Sequence, residues 1–193
     1  AKLSEDVGLD FFSVGESHQE FFTTQAHTVL LGAIAQATNK IKIASSSSII
    51  STSDPVRVFE DFATLDLISD GRAEIIAGRA SRLGVFELLG YDVQDYEALF
   101  EEKFELLLEL NQKELINWTG EFRAPLNNAE ILPRPKNGSL PIWRAVGGGP
   151  GSAIRAGMQG VPMFIATLGG PAESFQYSIE VYREALSRSG HLP

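Results

Sequence analysis

Cysteine is absent from this sequence. Disulfides and thiolate metal sites are excluded with it, no metal is expected, and a reducing cytoplasm is the default compartment. Long apolar runs are absent too. None approaches the ~20 residues that span a bilayer, and no signal-peptide pattern opens the chain, so a membrane is not an expected partner. Positive charge is in the minority: 16 Lys and Arg against 25 Asp and Glu give a formal net charge of −9. Such a surface repels phosphate backbones at long range, which argues against nucleic acid. One small phosphate stays possible, because backbone amides and one or two arginines bind it locally. No low-complexity segment or Ser/Pro/Gly linker interrupts residues 1–193, which read as a single domain. Ala1 rather than Met comes first, so a natural start is expected elsewhere.

With 44% apolar and 21% charged residues, the chain has the profile of a soluble globular protein with a real core. A unit recurs along it: the tail of an amphipathic helix, a break residue, an apolar strand, then a loop of small residues. The spacing predicts strands near residues 10–15, 41–48, 73–78, 142–146 and 161–166. Helices are predicted over 26–37, 55–68, 95–115 and 172–187, with another beginning at Ala153. The 26–37 stripe is read as Val29, Leu30, Ala33, Ile34 and Ala37, and the 55–68 stripe as Val58, Phe59, Phe62, Leu65 and Ile68. Alternating strands and helices imply a parallel sheet covered by helices. No Gly-rich turn follows Val14, as an open doubly wound sheet would usually require, so a (β/α)8 barrel is favoured. Five strands are visible where eight are needed, and a complete barrel takes ~250 residues, so the barrel is incomplete here.

Sites in parallel sheets collect just after the strands. Glu16, Ser17 and His18 follow the first strand, in a chain with three histidines. They form either a polar turn or an acid–base group. Ser45 to Ser48 close the second strand; four hydroxymethyl side chains leave room for a flat ligand, or are a plain polar strand end. Arg79 and Arg82 follow the third and suit an anion, although a salt bridge is the simpler account. Gly147, Gly148 and Gly149 precede a helix whose first-turn amides, near Ser152, are donors for phosphate.

These residues also carry a resemblance. The run Asp54-Pro-Val-Arg through Leu65-Asp-Leu-Ile-Ser-Asp-Gly-Arg72 to Gly78-Arg79 resembles the signature of the luciferase-like flavin oxidoreductases. That signature reads D-P-V-R…F…L-D-x-L-S-x-G-R-x-E-x-x-x-G-R-G. Leu89-Gly-Tyr91, Pro133-Arg-Pro135 and Leu140-Pro-Ile-Trp143 leading to Gly147 match in order. The resemblance covers essentially the whole chain, and the family's first strand and last barrel units are missing from it. It implies a (β/α)8 barrel that binds reduced flavin mononucleotide, or a deazaflavin in some branches, and oxygenates a small organic substrate with O2. A separate flavin reductase and a homodimer packed through helices 26–37 and 56–68 are also implied, with Val56, Phe59 and Ala63 adding apolar surface.

For the site, the resemblance places Glu16, Ser17 and His18 where the family has Glu-His-His, facing flavin and substrate. Serine at 17 is a departure, since it cannot replace an imidazole that titrates near neutral pH. Alanine at 80, where relatives have glycine, is another. Ser46 and Ser47 are implied to lie against the flavin ring, joined by a non-proline cis peptide. Arg79, Gly147, Gly148, Gly149 and Ser152 are implied to hold its phosphate. The loop 81–86 is read as part of a mobile cover, and the long stretch 78–141 as an inserted lid. A non-catalytic flavin-binding protein is the remaining alternative.

Overall fold

The structure, a computed structural model, describes residues 1–147 and 149–191. It divides into two compact units, Ala1–Pro141 and Ile142–Pro193.

The first unit opens with helix α1 (Lys2–Asp6), strand β1 (Phe11–Val14), helix α2 (His27–Ala37) and strand β2 (Lys42–Ser45). Strand β3 (Ser48–Ile49), helix α3 (Pro55–Ile68) and strand β4 (Ala73–Gly78) follow. Helices α4 (Gly84–Leu89) and α5 (Tyr96–Gln112) then lead to strands β5 (Leu115–Trp118) and β6 (Leu126–Glu130). β1 pairs parallel with β2 from Phe11–Lys42 to Val14–Ser45. β2 pairs parallel with β4 at Ile43–Ala73, and β3 rejoins β4 at Ser48–Ala77. Every residue of β4 is buried, as a central parallel strand covered on both faces must be.

In the second unit, strands β7 (Ile142–Val146) and β8 (Met163–Ile165) pair parallel, joined through helix α6 (Pro150–Met158). A 3-10 turn, Ala172–Phe175, leads into helix α7 (Gln176–Arg188). All five predicted strands are present, and the crossover pairing makes the class α/β.

Helix α3 shows why the signature run folds as it does. Asp54 caps it by accepting the Val56 amide at 2.8 Å, and Pro55 occupies the first turn, where its missing N–H costs nothing. Val58, Phe59, Phe62 and Leu65 face the core. The helix stops where Asp70 (φ 62°) and Gly71 (φ 86°) turn left-handed and the Gly71 amide reaches back to the Asp66 carbonyl at 2.8 Å. Glycine suits that turn because it has no Cβ to strain. The Asp66 carboxylate accepts the Ala73 and Lys136 amides, and Arg72 donates to Thr38 Oγ1 and to the carbonyls of Ala35, Thr38, Ile41 and Ser69.

Several expectations need correction. The predicted helix 95–115 stops at Gln112, and Leu115 begins β5 instead. β5 and β6 form an antiparallel hairpin, so the stretch 78–141 holds two helices and a hairpin. The stretch 81–86 is only in part a loop: α4 begins at Gly84, and Val85 and Phe86 pack against Ile49, Ala80 and Leu99. The 26–37 stripe was misphased. Its buried residues are His27, Leu31 and Ala35, and Val29 is 70% exposed, because an almost uniformly apolar helix does not mark its inner face. Ile68 is likewise 49% exposed. Phe59 and Ala63 are fully buried and add nothing to an outward face for dimer packing.

Glu5 ties α1 to the turn before β2. Its carboxylate accepts the amides of Asn39, Lys40 (2.6 Å) and Ile41 (2.9 Å). These donors, Ile41 first, hold its pKa at about 2 against an ordinary 4.5. A depressed carboxylate contributes stability that is fully present above 4.5 and is lost as pH falls towards about 2. Glu5→Gln is therefore expected to flatten the decline of melting temperature with acid across that window. Equal slopes in parent and variant would show that the clamp contributes nothing.

Candidate functional site

The ends of β1 and β2 are bound to each other beyond the strands themselves. The Ser46 amide donates to the Val14 carbonyl at 3.0 Å, and the Glu16 amide donates to the Ser47 carbonyl at 3.0 Å. The peptide between Ser46 and Ser47 is cis, where the resemblance places it. Ser13 and Ser46 share a hydroxyl–hydroxyl bond of 2.9 Å. The Ser45 hydroxyl accepts the Ile76 amide and donates to its carbonyl, linking β2 to β4 where the ladder is interrupted. Small side chains make this packing possible. A Cβ on Gly15 would lie 2.6 Å from the Ser46 carbonyl oxygen. Gly15→Ala is expected to destabilise the protein by ~1–3 kcal/mol, the usual scale of overpacking, as a lower urea midpoint. An unchanged midpoint would mean that the two loops separate freely.

Glu16 is the centre of the polar cluster. Its Oε1 accepts from His18 Nε2 at 2.8 Å and its Oε2 accepts the Ile49 amide at 2.7 Å. The side chain is 6% exposed and that of His18 is 16% exposed. An ionised carboxylate can only accept, so Nε2 of His18 carries the hydrogen, and in a neutral ring Nδ1 is the lone-pair nitrogen. That is the arrangement in which a carboxylate orients an imidazole for acid–base work. Ser17 is half-buried, and its hydroxyl enters neither bond.

Sequence reasoning missed His27. Its Nε2 lies 2.7 Å from Ser48 Oγ and its Nδ1 3.8 Å from Glu16 Oε2, with the ring buried. Burial lowers its pKa from 6.5, opposed by Glu16 and Asp61 and aided by His18. A polar ring in the first turn of an apolar helix was the available signal. Lys103 was missed as well. From α5 its buried ammonium donates to the Ser51 carbonyl at 2.7 Å and lies 4.0 Å from the centre of the Tyr91 ring. Burial lowers its pKa to about 8.

Arg79 takes the simpler of its two accounts. Its guanidinium pairs with Glu97 and Glu101 at 2.9 Å and lies 4.0 Å from the Phe100 ring centre. In the second unit, Gly147 is exposed, Gly149 caps α6, and Gly148 lies outside the described residues. The helix begins at Pro150 rather than Ala153, which places Ser152 in its first turn. The Ser152 hydroxyl accepts from Nε of the fully buried Arg144 at 3.1 Å, and Gln159 accepts from the same guanidinium. Among the described residues, no cluster of His, Cys, Asp or Glu is arranged to hold a metal ion, and no helix is long and apolar enough to cross a membrane.

Comparison with known proteins bears on the family and the fold. The profile of the luciferase-like monooxygenase family matches residues 1–193, and the chain belongs to that family. An N-acetyl-S-alkylcysteine monooxygenase of Bacillus subtilis is 29% identical over 171 residues, 86% of this chain and 48% of its own length. An F420-dependent glucose-6-phosphate dehydrogenase of Amycolatopsis mediterranei is 27% identical over 179 residues, covering 88% of this chain and 52% of that protein. The crystal structure of a monooxygenase from Streptomyces bottropensis superposes with a TM-score of 0.91 at 24% identity, over 99% of this chain and 59% of its own. The fold class is thus that of a luciferase-like barrel enzyme, present here as an incomplete (β/α)8 barrel. The chain spans about half the length of the curated relatives it matches.

Proposed function

We propose that this chain carries the ring-binding and proton-handling part of a flavin-dependent oxidoreductase, a monooxygenase that uses reduced FMN and O2 on a small organic substrate. The Glu16–His18 pair, held at the carboxyl end of a parallel strand, is the observation that carries the proposal. The surrounding residues fit a flat ring. Ser46 and Ser47 are half-buried at the strand end, and Thr24 Oγ1, in the β1–α2 loop, is buried without a hydrogen-bond partner. When bound, the flavin supplies the electrons and the reaction with oxygen.

The chain's own part is binding and proton handling. Ser46 and Ser47 present hydroxyls and peptide groups to the ring, and Ser17 a further hydroxyl. Glu16 fixes His18, whose Nδ1 takes or gives a proton at a substrate oxygen. In the second unit, taken by itself, Gly147, Gly149 and the first-turn amide of Ser152 suit a phosphate, which helix amides bind as donors, and Gly148 lies outside the described residues. Arg79, committed to Glu97 and Glu101, contributes charge to the loop rather than a direct phosphate bond. Reduced flavin would come from a separate reductase.

A deazaflavin is the second reading, favoured by the F420-dependent relative from Amycolatopsis. Titrating the full-length protein with reduced FMN and with a deazaflavin separates the two. Saturable binding of reduced FMN, followed by substrate-dependent oxygen uptake, is the expected result. Binding of neither cofactor overturns the proposal.

A further inference from the structure

We infer that His27 is a positioning residue for His18, acting through Ser48, Ile49 and Glu16 to fix which nitrogen of His18 faces the substrate. The inference deepens the proposed acid–base role of His18 and rests on it for its kinetic consequence alone.

The five residues form one connected set inside the first unit. His27 Nε2 meets Ser48 Oγ at 2.7 Å; the next residue, Ile49, donates its amide to Glu16 Oε2 at 2.7 Å; Glu16 Oε1 accepts from His18 at 2.8 Å. The 3.8 Å from His27 Nδ1 to Glu16 Oε2 is too long for a hydrogen bond but close enough for strong electrostatic coupling in a buried site. His27 opens α2, and its ring lies 6.3 Å from that of Phe62, centre to centre, so neighbours on two helices confine it. The groups facing it are Glu16 and His18 from the β1–α2 loop, Asp61 and Phe62 from α3, and Ser48 from β3.

One protonation state suits this geometry. With Nδ1–H directed at the carboxylate, Nε2 is the acceptor and the Ser48 hydroxyl donates to it. The ring is then neutral, which burial and the adjacent helix N-terminus both favour. A neutral His27 offers Glu16 a dipole and leaves its Oε1 for His18. A charged His27 would instead compete for the carboxylate and release His18 from its single orientation. His27 thus keeps the Glu16–His18 bond intact by holding Ser48, and with it the Ile49 amide on Glu16 Oε2, while itself uncharged.

The test needs no flavin. Long-range proton–nitrogen NMR spectra of the 15N-histidine-labelled protein resolve, within residues 1–193, the three histidines His18, His27 and the exposed His191. In the parent, His18 is expected to be a single Nε2–H tautomer. His27→Gln, which keeps an acceptor for Ser48, is expected to preserve that tautomer. His27→Phe and Ser48→Ala are expected to give a mixture of both tautomers. Should His27→Phe fail to fold, Ser48→Ala, a loss of one oxygen, carries the test. A single unchanged His18 tautomer in every folded variant overturns the inference. In the flavin-loaded protein, His27→Phe is expected to lower kcat about 10- to 100-fold with KM unchanged, the scale found for outer partners of metal-ligating imidazoles. A tautomer shift in a protein that binds no flavin would uphold the positioning role and overturn the proposed function instead.

Discussion

Replacing His18 with alanine is expected to lower turnover by about 10²–10⁴-fold, the range for a lost general acid or base, while flavin affinity stays near that of the parent. Both halves follow from the geometry. His18 is committed to Glu16 through Nε2, so its remaining nitrogen is the part that can act on substrate. Ser46 and Ser47, which the proposed function sets against the ring, are held by Val14, Glu16 and Ser13 backbone and hydroxyl bonds in which His18 has no share. Affinity can be followed by quenching of flavin fluorescence, and turnover by substrate-dependent oxygen uptake. Equal loss of affinity and turnover would make His18 a binding residue. The companion is Ser17→His, which restores the family's Glu-His-His pattern. It is expected to raise turnover if the serine is a genuine loss, and an unchanged rate would show that His18 suffices.

Arg72→Met should produce the largest loss of stability, about 3 kcal/mol or more. The guanidinium ends α2 by taking the Ala35 and Thr38 carbonyls, steadies the entry to β2 through Ile41, and closes on Ser69 beside its own strand. Hydrogen bonds with one charged partner contribute about 1.5–3 kcal/mol each and do not add independently, so the total is set by how many carbonyls find water instead. Methionine keeps much of the side-chain volume and removes every donor. A urea midpoint shifted down with an unchanged slope is the expected signature. A shift below about 1 kcal/mol would mean that solvent replaces the arginine readily.

These two residues belong to different kinds of motif. The run from Asp54 to Arg72 made the family recognisable, and its polar members work on the fold. Asp54 caps α3, Asp66 accepts the amides of Ala73 and Lys136, and Arg72 ties three elements together. The short Glu16-Ser17-His18 stretch is far less distinctive in sequence and carries the chemistry proposed here. A signature of many fixed residues marks a fold that must be held. A site needs few residues and tolerates change at one of them.

The sequence by itself determined the five strands of the parallel sheet, though not the β5–β6 hairpin, together with the α/β class and the small-residue loops at strand ends. Those features are local: period, break residues and side-chain size act within a few positions of each other. It also placed Glu16 and His18 together, since they are two residues apart in one turn. Only the tertiary structure decided that His27 and Ser48, from a helix and a different strand, complete their surroundings. Only the tertiary structure decided that Arg79 turns to Glu97 and Glu101 on α5, and that α2 buries His27, Leu31 and Ala35 rather than its Val29 side. In each case the deciding partner is distant in the chain, and a buried charge or ring takes whichever partner the packing brings within reach.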